Sequence, residues 1–189
     1  MIADMLSGGF TDAPVQSARA FREILEAMAR PGTIRRVEGA LPPAPLSVAA
    51  GVTLLTLCDA TTPLHLAGRC GAQAVKDWIA FHIGAPLFDA PDADFALGHW
   101  ADLQPVNRFR IGQPDYPDRS ATLIVERDVL SDDGPALTGP GIQLRTHLNL
   151  PEVQAFHANR ALFPLGFDTI FTAGNQIACL PRSTRVEVI

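Results

Sequence analysis

Phe167-Asp168-Thr169-Ile170-Phe171-Thr172, then Ala173-Gly174-Asn175, then Gln176-Ile177-Ala178-Cys179-Leu180, is the stretch that decides the fold. Two short runs rich in β-branched and aromatic residues flank a turn with glycine at its centre, which reads as a β-hairpin. Downstream, Pro181-Arg182-Ser183-Thr184 leads into a closing strand expected over residues 185 to 189. Upstream, residues 151 to 161 read as a helix, with Pro151 placed for the first turn. Before it, Gly139-Pro140-Gly141 fits a type II turn, proline second and glycine third.

The same alternation continues towards the N-terminus. Ala121-Thr122-Leu123-Ile124-Val125 reads as a buried strand, and Asp133-Gly134 marks a turn before a short strand from Pro135 to Thr138. Residues 104 to 120 hold Pro105, Gly112, Pro114 and Pro117. They read as one long structureless loop, either functional or partly disordered. A weak strand is expected from Phe95 to His99. A helix over residues 72 to 83 presents Val75, Trp78, Ile79 and His82 on one face, with His82 expected as a satisfied core histidine. Residues 63 to 67 read as a strand. Leu46 to Leu57 is apolar but too short to cross a membrane, so it reads as a buried core helix. Residues 33 to 37 form a short strand. The first helix is expected from Pro14 to Ala29, its apolar face formed by Ala18, Phe21, Leu25 and Met28, with Arg19–Glu23 and Arg22–Glu26 paired on the wet side. Pro31-Gly32 stops it. Residues 1 to 13 read as a loose arm before a single domain. Interleaved helices and strands make this an α/β chain.

Composition limits what such a domain does. Its 189 residues carry a formal net charge of −5, which argues against a broad nucleic-acid face. Fourteen arginines accompany a single lysine, Lys76. Cys58, Cys70 and Cys179 form no Cys-x-x-Cys pair, so free thiols in a reducing cytosol are expected, with no disulfide framework or metal site. The N-terminus shows no signal-peptide pattern.

Arg182, Ser183, Thr184 and Arg185 place two guanidiniums and two hydroxyls within four residues. That set suits a phosphate or a carboxylate-bearing partner, or else a solvated rim. Thr138, Gly139 and Gly141 belong to a loop that looks like a phosphate cradle but lacks the lysine and helix start of one, so a structural turn is the simpler reading. Asp168 opens a strand and suits an acid/base or partner group, or satisfies nearby backbone donors. Arg108 and Arg110 flank Phe109, a weak signal for a stacked nucleotide. The five histidines show no metal spacing.

These segments together resemble the PhnH family, a subunit family of the bacterial carbon–phosphorus lyase system. The resemblance rests on Phe21-Arg22 with Leu25, Ala27-Met28 and Pro31-Gly32, on Leu54-Leu55-Thr56-Leu57 with Asp59 and Thr62-Pro63, and on Phe81-His82 with Ala85-Pro86-Leu87. It continues through Ala121-Thr122-Leu123-Ile124, Leu137-Thr138-Gly139-Pro140-Gly141-Ile142, Phe163-Pro164-Leu165-Gly166 with Asp168, and the run from Pro181 to Val188. It implies a mixed sheet between helices, similar to pyridoxal-phosphate-dependent transferases but without their cofactor lysine. It implies a cytoplasmic homodimer that joins PhnG, PhnI and PhnJ, touching neither nucleic acid nor membrane. The implied reaction uses MgATP as co-substrate and replaces its adenine by a phosphonate at ribose C1. This chain would bind no cofactor of its own and would act as a transferase subunit rather than alone. A non-catalytic assembly module and a free-standing pyridoxal-phosphate enzyme are the alternatives. Arg182, Thr184, Arg185, Thr138, Gly139, Gly141 and Asp168 are the ligand- or partner-binding candidates, and no catalytic residue is implied.

Overall fold

A computed structural model describes residues 7–187. In chain order its elements are α1 (Ala13–Ala29), β1 (Arg35–Arg36), α2 (Val48–Leu57), β2 (Leu64–Leu66), α3 (Gln73–His82), β3 (Phe95–His99), β4 (Ile111–Gln113), β5 (Tyr116–Ser120), β6 (Thr122–Glu126), β7 (Ala136–Thr138), β8 (Thr146–His147), α4 (Val153–Ala161), β9 (Asp168–Ala173), β10 (Gln176–Leu180) and β11 (Arg185–Val186). Three 3-10 turns lie between them, at Gly68–Gly71, Ala90–Asp92 and Val106–Arg108.

The main sheet has the order β1-β10-β9-β6-β3-β2. β2, β3, β6 and β9 are parallel; β10 runs against them, and β1, antiparallel to β10, runs in their direction again. The hairpin read from the sequence is the β9–β10 pair, closed by Gly174-Asn175, with Ala173 facing Gln176. Leu123-Ile124-Val125 shows no polar alternation because both sheet faces are covered. Ile124 points into a cluster with Leu54, Trp78, Ile79 and Leu97. Beside it, Ile170, Ile177 and Cys179 meet Ile24, Ala27 and Val52. This face therefore carries α1, α2 and α3. Leu123, Val125, Phe171, Ala178 and Leu180 point the other way, against Leu137, Leu148, Phe156 and Val186. That face is covered by α4 and by a small sheet of order β11-β7-β8. The mixed sheet thus lies between helices, as expected.

Several expectations need correction. In α1 the buried residues are Ala20, Ile24 and Ala27, while Phe21 and Leu25 are 50% and 54% exposed. The helix turns two alanines and Ile24 to the sheet, which lets it lie close, and leaves Phe21 and Leu25 outside. Glu23 pairs with Arg35 (2.6 Å) and Glu26 with Arg30 (3.5 Å), rather than with Arg19 and Arg22. Residues 104 to 120 are not structureless: they contain the β4–β5 hairpin, in which Ile111 faces Ser120. Gly112 there has φ +83°, and a Cβ would sit 2.6 Å from the Pro117 carbonyl oxygen. α4 begins at Val153 with Glu152 at its cap, so Pro151 precedes the helix. His82 is only half buried, at the edge of the core, where its Nε2 lies 3.1 Å from the Ser7 carbonyl. The described part of the arm is docked, since the Leu41 amide donates to the Gly8 carbonyl at 2.8 Å and Phe10 packs on the core. Residues 1–6 of that arm, and Val188 and Ile189 of the closing strand, lie outside the described residues.

Candidate functional site

Asp168 and Arg182 meet at the edge of the sheet where the parallel strands begin. Asp168 is the first residue of β9, and Arg182 lies two residues past β10. The hairpin brings them together across 14 residues of chain. Asp168 Oδ1 accepts the Arg182 amide at 2.8 Å and Nε at 3.1 Å, and its Oδ2 accepts Nη2. Nη1 donates to the Pro117 carbonyl at 2.8 Å, and Nη2 also reaches Ser120 Oγ. The Arg182 side chain is 13% exposed. Its donors are committed to β5 and β9, so this guanidinium fastens the β4–β5 hairpin to the sheet. Asp168 satisfies a backbone donor, the simpler of its two sequence readings.

The remaining candidates gather on the small sheet. β7 and β11 pair antiparallel with Thr138 opposite Arg185. Thr184 is buried, its amide donating to the Pro181 carbonyl at 2.9 Å, and its Oγ1 has no partner among the described residues. Gly139 to Ile142 form the expected turn: the Ile142 amide donates to the Gly139 carbonyl at 3.2 Å, and Gly141 has φ +79°. A Cβ on Gly141 would lie 1.8 Å from the Ala29 carbonyl oxygen. The turn needs glycine there to approach the end of α1, whatever else it does. Arg182 and Arg185 therefore part company. Arg182 faces the sheet edge, whereas Arg185 is exposed and lines a groove of about 380 Å³ with His157, Arg160, Ala161 and Val186.

Other polar groups are accounted for by burial. Phe109 is 3% exposed and unavailable for stacking on a base. Its neighbours are engaged as well, Arg108 with the Asp102 carbonyl at 3.0 Å and Arg110 with Asp94. Glu126, at the end of β6, is a buried carboxylate that the sequence reading passed over. Burial pushes its carboxyl up. Its Oε1 accepts the Ser47 amide at 2.7 Å, at the start of α2, and its Oε2 accepts the Thr172 hydroxyl at 3.0 Å. A lone glutamate closing an apolar strand run is the signal that marks it. All three cysteines are free and buried. Burial pushes the Cys58 and Cys70 thiols up to about 12, and Cys179 also upwards. Among the described residues, no three His, Cys, Asp or Glu side chains gather as a metal site. No helix among them is long and apolar enough to cross a membrane.

Comparison with known proteins places this arrangement in a family. The family model "Bacterial phosphonate metabolism protein (PhnH)" matches residues 8–187. The chain is 39% identical to the "Alpha-D-ribose 1-methylphosphonate 5-triphosphate synthase subunit PhnH" of Rhizobium meliloti (strain 1021), covering 98% of this chain and 97% of the relative. It is 30% identical to the "Putative C-P lyase subunit protein HtxG" of Stutzerimonas stutzeri, covering 93% and 88%. The match spans both the Asp168–Arg182 fastening and the small sheet with its groove, and on this ground the chain belongs to the PhnH family of bacterial phosphonate metabolism proteins.

Proposed function

We propose that this chain is a subunit of ribose 1-methylphosphonate 5-triphosphate synthase in the carbon–phosphorus lyase system. The observation that carries the proposal is 39% identity over nearly the full length of both chains to a subunit bearing that name. In the proposed reaction a phosphonate oxygen forms a bond to ribose C1 of ATP as the bond from C1 to adenine breaks. Adenine leaves with the bonding pair and a proton. MgATP is the co-substrate, and the chain holds no cofactor. It works in the cytoplasm within a complex with PhnG, PhnI and PhnJ, and pairs with itself when isolated. The exposed Phe21 and Leu25, four apart on one face of α1, support a role through partner contacts. The mixed sheet between helices supports the further likeness to pyridoxal-phosphate-dependent transferases. Lys76 is exposed on α3 and has none of the burial that activates a Schiff-base lysine.

The test is adenine release from MgATP and methylphosphonate by a purified complex prepared with and without this chain. Release that depends on the chain supports the proposal; equal release without it overturns it. A second reading, an assembly module with no ligand of its own, is favoured by the internal commitment of Arg182. It predicts lost assembly when the interface is mutated, and no saturable ligand binding by the isolated chain.

A further inference from the structure

The groove between α4 and β11 has an unusual wall. Among the described residues, three of the five that line it are basic (His157, Arg160 and Arg185), and none is acidic. Glu187, the nearest acid in sequence, pairs with Arg145 at 3.2 Å. Two of the three basic side chains also carry a polar atom with nothing to bond. Nε2 of His157 and Nε of Arg160 are buried, and neither has a hydrogen-bond partner among the described residues. A desolvated donor without a partner costs about 1–3 kcal/mol, so such atoms in a native structure need an explanation. The Arg160 guanidinium carbon lies 4.7 Å from the Phe163 ring centroid, a contact that uses none of its N–H donors. Arg185 is exposed and Thr138 faces it across the strand pair. His157 and Arg160 are three apart on one helix, so they share a face, and β11 brings Arg185 to the same side.

We infer that this groove is an oxyanion site for a phosphoryl or phosphonyl group. Two guanidiniums and an imidazole present the donor-rich, carboxylate-free surface that such a group requires. An oxyanion seated in the groove would supply the acceptor that the Arg160 Nε–H lacks. The small-molecule class of the ligand rests on the proposed function; the cationic character of the groove does not.

The isolated chain is titrated calorimetrically with inorganic pyrophosphate and, separately, with methylphosphonate, while the His157 ring is followed by NMR. Saturable binding is expected with a perturbed His157 signal. Arg160→Gln and Arg185→Gln each weaken it at least tenfold, and Arg22→Gln, on the exposed side of α1, leaves it unchanged. Tighter binding of pyrophosphate identifies the polyphosphate end of the substrate; tighter binding of methylphosphonate identifies the phosphonate. Circular dichroism of each variant checks that it is folded. Absence of saturable binding by the folded chain overturns the inference, as does equal weakening in Arg22→Gln. Because no partner is present, that result leaves the subunit assignment standing.

Discussion

Arg182 is the residue whose role the structure changes most. Removing its side chain strands the Asp168 carboxylate and detaches the β4–β5 hairpin from β9. The pair is part-buried, so Arg182→Ala is expected to lower stability by about 2–3 kcal/mol. Denaturant midpoints measure this, and a double-mutant cycle with Asp168→Asn isolates the coupling. Glu126 gives a pH signature. Burial holds its proton to higher pH in the folded chain than in the unfolded chain. The associated stabilisation is complete below the ordinary glutamate range and is lost as pH rises through the elevated value. Midpoints of the natural chain should therefore fall across that window relative to Glu126→Gln, whose amide keeps an oxygen for the Ser47 amide. An unchanged difference between the two across that window would refute this. The thiols supply a third expectation: with Cys58 and Cys70 pushed up to about 12, iodoacetamide should label none of the three cysteines at neutral pH until the chain is unfolded. The free thiols and a backbone-satisfying Asp168 were readable from sequence; the partners of Arg182 and Glu126 were not, because each lies more than a dozen positions away.

At the level of elements, the sequence spoke clearly wherever one period dominated. β6, β10 and α2 carry predominantly apolar runs and emerge within two residues of the bounds read. α1 misled because its sheet-facing residues are mostly alanines, which carry little periodic signal, while Phe21 and Leu25 are large and face outward. β4 and β5 were hidden for a different reason. Their pattern is mostly polar and exposed, with prolines inside the pair, so neither hydrophobicity nor β-propensity marks them. The glycine turn separates local conformation from packing. Gly141 and Gly174 both have positive φ, but a Cβ on Gly174 meets nothing within 4 Å. Gly174→Ala should cost about 1 kcal/mol from backbone strain alone. Gly141→Ala adds the collision with the Ala29 carbonyl and should cost about 3 kcal/mol. Thermal unfolding of the two variants side by side decides whether close approach or φ governs this turn.

At the level of the whole molecule, the α/β architecture was legible from alternation, but the strand order was not, since it depends on contacts that no local pattern encodes. The candidate site was half legible. Thr138 and Arg185 do meet, whereas His157 and Arg160, which share the groove with Arg185, carry no spacing signal that joins them to it in the sequence. Phe21→Ser with Leu25→Ser should leave the melting temperature nearly unchanged, because both side chains are already half in water. The same double change should weaken self-association and recovery of the complex, measured by sedimentation and co-purification. Full assembly by the double variant would remove this face of α1 from the contact.

The order β1-β10-β9-β6-β3-β2 has a last consequence. The strands made early, β1, β2 and β3, occupy the two flanks of the sheet, and those made late, β6, β9 and β10, fill its middle. A ribosome that has delivered only the first hundred residues has released two borders with nothing between them. Native closure must therefore wait until the final hairpin leaves the exit tunnel, and a nascent chain stalled before that point will expose its helices' apolar sides to chaperones.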